Sequence, residues 1–275
     1  MNFLKHKQEY VKLGAQLPKG ILLVGSPGVG KTLLSKAIAG EADCHFKYVS
    51  SSSVEGKTIG QGAAKIREIF KEARNSSQMT IIFFDEFDSI ATKRSAADEA
   101  WSRQTLNQLL AEMDGFDQSA NFFVIAATNF PQGLDPAVVR PGRFDKIISI
   151  PMPSFRSRKE IAKYYLSKVP ASQDIDPEFI AQNTINMSGA DIKSLVNLAA
   201  MNAAKFSRNI VTKDDFEFAL DRMHVGILNK SITPNEHEKY MTAVHEAGHA
   251  MVSLLNPNAT PMNKVTILSK GQALG

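Results

Sequence analysis

Short apolar runs alternate with amphipathic stretches through the first half of the chain. The runs cover residues 21–24, 46–49, 80–84, 122–127 and 147–150. Helical stretches lie between them, near residues 63–74 and 102–113. Because strands that alternate with helices pair as a parallel sheet, this pattern predicts an α/β domain.

The pattern changes after Pro153, where the β-type runs stop and helical periodicity takes over. Two capping boxes predict helix starts in this part of the chain. One pairs Ser157 with Glu160, and the other pairs Thr212 with Asp215. A helical domain therefore follows the sheet.

These changes divide the chain into three parts. We expect an α/β domain over residues 1–153, a helical domain over 154–226 and a further segment over 227–275. In the last segment, Thr233 is followed by a proline and a glutamate, which predicts a helix that ends near Asn256.

Composition is typical of a folded globular protein. Of the 275 residues, 43% are hydrophobic and 22% are charged. The net charge is +4, but basic residues are scattered among acidic ones, so we expect no nucleic acid partner. The one cysteine, Cys44, excludes a disulfide within the chain. No apolar run approaches the roughly 18 residues that span a bilayer, so we expect any membrane anchor outside this chain.

A glycine-rich loop joins the first predicted strand to the first helix. It fits the pattern G-x-x-x-x-G-K-[ST] with Gly25, Ser26, Pro27, Gly28, Val29, Gly30, Lys31 and Thr32. Glycines allow successive backbone N–H groups to point at a phosphate chain, and the helix that follows adds its positive dipole end. Lys31 would reach the β- and γ-phosphates, and the Thr32 hydroxyl would bind Mg²⁺. The alternative is a glycine turn between packed elements.

Polar residues follow two later apolar runs, and the ends of parallel strands are where ligand crevices lie. Asp85 and Glu86 end the run at 80–84. Asp85 would hold Mg²⁺, directly or through water, and Glu86 would orient and polarise the water that attacks the γ-phosphate. Asn129 follows the run at 122–127, where its amide would hold that water. Acidic residues also end strands without a catalytic role, but the glycine loop favours the catalytic interpretation.

Arg140 and Arg143 lie on a loop that contains proline and glycine. Two arginines in such a loop are poorly explained as solubilising surface residues. A planar guanidinium suits an arginine finger, which neutralises charge on a transferring phosphoryl group. The loop therefore adds to the evidence for hydrolysis of a nucleoside triphosphate such as ATP.

A second constellation, His245-Glu246-Ala247-Gly248-His249, lies in the last predicted helix. The spacing of His245 and His249 puts both imidazoles on one helix face, as two Zn²⁺ ligands. Glu246 lies beside them as a candidate general base for a zinc-bound water. The alternative is a buried structural pair of histidines.

The phosphate loop, the acidic strand end and the arginine loop together resemble the AAA+ ATPases. Residues 129–144 resemble the second homology region of that family. In such ATPases the arginine fingers act on nucleotide in the neighbouring subunit, which implies a ring, usually a hexamer. Gly189 and Ala190 resemble the start of a lid-domain helix that lies over the nucleotide. The resemblance thus implies a P-loop AAA+ sheet with a helical lid domain.

An AAA+ module followed by His-Glu-Ala-Gly-His resembles the FtsH-type ATP-dependent zinc metalloproteases over nearly the whole chain. Residues 102–116 and 127–131 are most similar to the mitochondrial i-AAA branch. The resemblance implies that residues 227–275 hold a linker and the truncated start of an α-helical peptidase domain. In that family a third, acidic zinc ligand comes from well beyond the first two, which places it after Gly275. We therefore expect this chain alone to be proteolytically silent.

The resemblance also implies a function for the parent protein. It would be a homo- or hetero-hexameric ring that uses ATP, Mg²⁺ and Zn²⁺ to unfold and degrade membrane or membrane-proximal proteins. Its expected location is the mitochondrial inner membrane, or alternatively a bacterial or plastid membrane on the cytoplasmic or stromal face.

The sequence departs from the family in the expected pore loop. Thr58 stands where family members have an aromatic residue that grips the substrate chain. A hydroxyl offers less apolar contact area than a phenyl ring, so grip would weaken or pass to Ile59. This departure is the only direct support for a rival hypothesis, a non-proteolytic regulatory or structural subunit of a mixed ring, and the complete phosphate, magnesium, finger and HExxH residues stand against it. A nucleic-acid motor is a weaker rival, because it leaves the two histidines unexplained.

Overall fold

The computed structural model describes residues 9, 12–13, 18–54, 60–92, 99–115, 121–225, 236–256 and 265. The chain divides into two compact units. One comprises Met1–Ser154 with Asn186–Ala190, and the other comprises Phe155–Ile185 with Asp191–Gly275. The division at residues 153 and 226 that the sequence suggests stays a prediction.

In the first unit, strands and helices alternate. In chain order the elements are β1 (Gly20–Val24), α1 (Lys31–Glu41), β2 (His45–Ser50), α2 (Ser51–Val54), α3 (Gln61–Asn75), β3 (Thr80–Asp85), α4 (Asp88–Ala91), α5 (Glu99–Asp114), β4 (Phe122–Thr128), a 3₁₀ turn (Pro131–Gly133) and β5 (Lys146–Ser149). Each of the five apolar runs in the sequence forms a strand, with bounds within one residue of those predicted.

All strand pairs are parallel, in the order β2-β3-β4-β1-β5. The predicted α/β class with a parallel sheet is therefore confirmed. Ser50 lies opposite Asp85, and Val24 lies opposite Thr128. The carboxyl ends of β3, β1 and β4 thus meet at one edge of the sheet, next to the glycine loop.

The sheet has a hydrophobic core on each face, because successive side chains of a strand point to opposite sides. Leu22, Ile82 and Val124 pack with residues of α3 and α5 on one face. Leu23 and Ile81 belong to a separate cluster on the other face, which includes Ala39 of α1. Burial on both faces explains why the central strands read as continuous apolar runs.

The second unit is helical. Its helices are α6 (Phe155–Leu166), α7 (Pro177–Asn183), α8 (Gly189–Lys205), α9 (Lys213–Val225) and α10 (Glu236–Leu255), of which α8 begins within the Asn186–Ala190 segment of the first unit. None of the described helices is long and apolar enough to cross a membrane.

The helix start predicted at Thr212 is confirmed, with one of the two bonds of a capping box, and the start predicted at Ser157 is not. Thr212 precedes α9, and its N–H donates to Oδ2 of Asp215 at 3.0 Å, as a capping box requires. Helix α6 instead begins two residues before Ser157, so the capping start predicted there is wrong. Ser154 stands immediately before that helix, and serine is favoured at such a position.

Candidate functional site

The glycine loop connects β1 to α1, and at each of its three glycines a side chain would either clash or strain the backbone. A Cβ on Gly25 would lie 2.4 Å from the carbonyl oxygen of Ile150, and one on Gly28 would lie 2.4 Å from Oγ of Ser188. Gly28 and Gly30 have φ angles of 79° and 98°, which favour glycine. Gly30 precedes α1, and no side chain caps the helix there. The loop and helix start therefore form a backbone cradle suited to an anion.

Lys31 lies at the centre of this cradle and is only 8% exposed. Its Nζ donates to the carbonyl oxygens of Gly25 at 2.8 Å and Ser26 at 2.9 Å, and to Oδ1 of Asn129 at 2.7 Å. Desolvation lowers the pKa of Lys31, and the charge of Asp85 partly opposes this. The ammonium is thus held between the glycine loop and the end of β4, where a phosphate group would meet it.

The Asp85 carboxylate accepts hydrogen bonds from three sides. The hydroxyl of Thr32 donates to Oδ2 at 2.8 Å, and the backbone N–H of Glu86 donates to Oδ1 at 3.1 Å. The hydroxyl of Tyr48 also donates to Oδ2, at 3.3 Å. Desolvation, with the charge of Asp85 and this hydrogen bond, raises the pKa of Tyr48, so the phenol stays a donor. The sequence predicted Thr32 and Asp85 here but missed Tyr48.

Glu86 follows β3 with a φ angle of 52°, in the left-handed region that a residue with a Cβ rarely adopts. Its side chain is exposed at the sheet edge. Residues in this strained region persist only where the surrounding structure holds them there, and they are often found at active sites. The next N–H, of Phe87, donates to the carbonyl oxygen of Ala127 at 2.8 Å and fixes the turn against β4.

Asn129 begins the turn after β4, and two residues missed by sequence reasoning hold that turn. The hydroxyl of buried Thr128 donates to Oδ1 of Asp88 at 2.7 Å and accepts the N–H of Phe130 at 3.0 Å. Asp88 lies in α4, directly after the Glu86 turn. The sequence feature that could have indicated this contact is a third carboxylate, at Asp88, just after the Asp85-Glu86 pair.

The two predicted finger arginines differ in their surroundings. Arg143 donates to both carboxylate oxygens of Asp114, at 3.0 and 2.8 Å, and to the carbonyl oxygen of Ala137 at 2.6 Å. The hydrogen bond to Asp114 raises the pKa of Arg143 and lowers that of Asp114. Arg140 is exposed, and its guanidinium makes no hydrogen bond or ion pair with any residue the structure describes.

Ala190 lies against the glycine loop. Its N–H donates to the carbonyl oxygen of Gly28 at 3.2 Å, and its Cβ would lie 2.9 Å from a Cβ on Gly28. Gly189 is the first residue of α8, and both residues belong to the same compact unit as the loop. The structure therefore brings this predicted pair next to the phosphate cradle.

The predicted metal ligands lie on one face of α10. The Nε2 atoms of His245 and His249 are 3.0 Å apart, with ring centroids at 4.6 Å. Both side chains are exposed in this structure, which gives no support to the interpretation as a buried structural pair. Glu246 lies on the same helix, half-buried. Within the described parts of the chain, no group of three or more metal-binding side chains occurs.

Comparison with known proteins matches the chain to three families. Residues 21–152 match the ATPase family associated with various cellular activities (AAA), residues 174–218 match the AAA+ lid domain, and residues 232–275 match peptidase family M41. Whole-chain relatives at about 45% identity include proteins named FtsH and YME1. Over its whole length the chain is similar to FtsH-type AAA+ proteases. The resemblance inferred from the sequence is thus confirmed.

Three relatives illustrate the match. It is 46% identical over 276 residues to the human ATP-dependent zinc metalloprotease YME1L1, covering all of this chain and 36% of the relative. It is 46% identical to ATP-dependent zinc metalloprotease FtsH of Buchnera aphidicola, covering 45% of that protein. It is 44% identical to the Saccharomyces cerevisiae mitochondrial inner membrane i-AAA protease supercomplex subunit YME1, covering 37% of it. The chain thus spans less than half the length of these relatives.

The candidate site residues fit the two metals, Mg²⁺ and Zn²⁺, that the similarity implies. Two oxygens bound to one octahedral Mg²⁺ lie about 2.9 Å apart, and the Thr32 hydroxyl and Asp85 carboxylate oxygens are 2.8 Å apart. Two nitrogens bound to one tetrahedral Zn²⁺ lie about 3.3 Å apart, close to the 3.0 Å between the histidine Nε2 atoms.

Two sequence predictions lie outside the described residues. The pore-loop residues Thr58 and Ile59 fall in the range 55–59, and the predicted cap at Thr233 falls in the range 226–235.

Proposed function

We propose that this chain is the ATP-hydrolysing module, joined to the first part of the zinc peptidase, of a membrane-associated protein-degrading ring. The observation that carries the proposal is the cluster around Lys31. The ammonium contacts Asn129, and the neighbouring Thr32 hydroxyl contacts Asp85, all beside an uncapped helix start. This is a constellation for phosphoryl transfer from a nucleoside triphosphate.

Each residue of the cluster has a separate task. The backbone N–H groups of the glycine loop bind the phosphates, and Lys31 exchanges its carbonyl acceptors for phosphate oxygens. Thr32 and Asp85 would hold Mg²⁺, which would supply positive charge to neutralise the β- and γ-phosphates. Glu86 orients the attacking water and polarises it, while the Asn129 amide holds that water in line.

The site is completed by a neighbouring subunit. Arg140 is exposed and its guanidinium has no partner among the described residues, which supports a contact with nucleotide outside its own chain. Arg143 is the second cation of the same loop. An arginine finger supplied in trans accelerates phosphoryl transfer by about 10³–10⁵-fold. Members of this family form rings, and we propose a hexamer made of one or two subunit types.

The second activity lies on α10. His245 and His249 would hold Zn²⁺ through Nε2, and Zn²⁺ lowers the pKa of a bound water so that it can attack a peptide bond. Glu246 would take the proton from that water. The third ligand is expected from a part of the protein after Gly275. The substrates we propose are unfolded membrane or membrane-proximal proteins, at the mitochondrial inner membrane that the name of the yeast relative YME1 gives.

A binding experiment on the 275-residue chain tests the ATPase part. A fluorescent ADP analogue should bind the wild-type chain, and Lys31→Ala should weaken binding about tenfold or more, because charge-assisted hydrogen bonds to phosphate are lost. Lys36→Ala is the matched control, since Lys36 is an exposed lysine on the same helix. Equal affinity in wild type and Lys31→Ala would contradict the proposal.

A turnover experiment tests whether two neighbouring subunits share one ATPase site. A monomeric sample should bind nucleotide but hydrolyse ATP slowly, because it lacks the neighbour's cation. In the assembled ring, Glu86→Gln should lower the hydrolysis rate at least about a hundredfold and leave nucleotide affinity within about twofold of wild type. Fast hydrolysis by a demonstrably monomeric sample would contradict the shared site.

A further inference from the structure

Tyr48 lies on the edge strand β2, beside the strand that carries the magnesium carboxylate. In the register of the two strands, Tyr48 is opposite Phe83 and Ser50 is opposite Asp85. Tyr48 and Asp85 are therefore diagonal neighbours, and such neighbours are within reach of a long aromatic side chain. The ring packs at a tilt on buried Phe83, with centroids 6.0 Å apart, and this contact directs the hydroxyl towards the strand end.

The three donors that reach Asp85 come from different parts of the unit. Thr32 belongs to the phosphate loop motif, and the N–H of Glu86 belongs to the acidic strand end itself. Tyr48 is the donor that belongs to neither motif. A carboxylate that rotates freely must be ordered when Mg²⁺ binds, and a third donor reduces that cost. Because the phenol is neutral, it orients the carboxylate and leaves in place the negative charge that attracts the cation. A lysine at this position would cancel that charge.

We propose that Tyr48 is a positioning residue that holds the Asp85 carboxylate in the orientation that binds magnesium, directly or through water. The inference rests on the proposed nucleotide function, since it assigns a role to the same site. It predicts that Tyr48 contributes to the gain in nucleotide affinity that Mg²⁺ provides. When Mg²⁺ is absent, Tyr48 should contribute nothing to nucleotide affinity. The contact is made by the hydroxyl alone, so Tyr48→Phe removes it while it keeps the ring on Phe83.

The test measures the dissociation constant of a fluorescent ADP analogue for the 275-residue chain, with Mg²⁺ and with EDTA. We expect Tyr48→Phe to reduce the Mg²⁺-dependent gain in affinity by about two- to tenfold, the effect of one hydrogen bond, with the EDTA value unchanged. Tyr164→Phe is the matched control, because the Tyr164 hydroxyl contacts Lys168 in the other unit and should leave both values unchanged.

A double-mutant cycle makes the assignment specific. In an Asp85→Asn background, Tyr48→Phe should have no further effect on the Mg²⁺-dependent gain, because the oriented carboxylate is already gone. An unchanged or larger gain in Tyr48→Phe would overturn the inference, and so would an equal loss of affinity with Mg²⁺ and with EDTA. Failure of the wild-type chain to bind nucleotide would instead overturn the proposed function.

Discussion

Arg143 and Asp114 form a two-bond ion pair within one subunit, with Nε to Oδ1 at 3.0 Å and the second guanidinium nitrogen to Oδ2 at 2.8 Å. A third hydrogen bond joins Arg143 to the carbonyl oxygen of Ala137. Arg140, on the same loop, makes no such contact with the residues that the structure describes. The loop therefore carries one arginine that is held in place and one that projects from the surface.

This difference predicts separable effects of two substitutions. Arg143→Ala should lower the free energy of unfolding of the chain by about 1–2 kcal/mol, because a partly buried guanidinium loses three hydrogen bonds. Arg140→Ala should leave the free energy of unfolding within about 0.5 kcal/mol of wild type. Urea unfolding of the two variants measures both effects. Equal stability of Arg143→Ala and wild type would show that the ion pair does not hold the loop.

A buried carboxylate in the helical unit makes stability depend on pH. Asp215 is fully buried, and although desolvation alone would raise its pKa, hydrogen bonds from Thr212 and Asn202 and the charge of Arg208 lower it. A carboxylate with a lowered folded pKa stabilises the fold above its unfolded pKa of about 3.9, and this stability is lost as pH falls through the folded pKa.

Asp215→Asn should therefore destabilise the chain by about 2–4 kcal/mol at neutral pH and reduce the loss of stability on acidification below about pH 4. Asp214→Asn is the matched control, because Asp214 is the exposed neighbour on the same helix. Urea unfolding at neutral and acid pH measures both. A variant as stable as wild type at neutral pH would contradict the role given to this network.

Substitutions of the peptidase residues should affect zinc binding and proteolysis but not ATP hydrolysis. In the full-length protein, His245→Ala should abolish both zinc binding and proteolysis, since two ligands are too few for a catalytic site. Glu246→Gln should keep zinc, measured by metal analysis, and lose casein cleavage, because the general base is gone. ATP hydrolysis should continue in both variants. Zinc-dependent cleavage of casein by the 275-residue chain alone would contradict the expected position of the third ligand.

The pore loop gives a prediction in the opposite direction, a gain of function. Thr58→Phe in an assembled ring should raise the rate at which a folded substrate is unfolded, because a phenyl ring offers more apolar contact to the passing chain. Thr58→Ser is the control, since it keeps the hydroxyl. An unfolding rate unchanged by Thr58→Phe would show that grip does not depend on this position.

The parts of the site that sequence predicted are those carried by local motifs. The glycine loop, the Asp85-Glu86 pair and the two histidines have fixed spacings, so their chemistry follows from a short stretch of chain. The contacts that sequence missed join residues far apart along the chain. Tyr48 is 37 residues from Asp85, and Arg143 is 29 residues from Asp114. No local pattern encodes such pairs, because the strand register and the packing of α5 bring them together.

The sheet could be predicted for a related reason. Its central strands are buried on both faces and must be apolar throughout, so each left a clear run in the sequence. The helix starts were less certain, since Ser154 and Ser157 are both acceptable caps and only packing decides between them.

The most direct test of the account mixes two inactive variants in one ring. Lys31→Ala weakens nucleotide binding and disables the phosphate loop of its own subunit but leaves Arg140 intact, whereas Arg140→Ala removes the finger but leaves the phosphate loop intact. If Arg140 acts on the neighbouring subunit, rings assembled from both variants should regain ATP hydrolysis at interfaces that pair an intact loop with an intact arginine. ATP hydrolysis in the mixed rings no higher than in either pure variant would contradict a site shared between subunits.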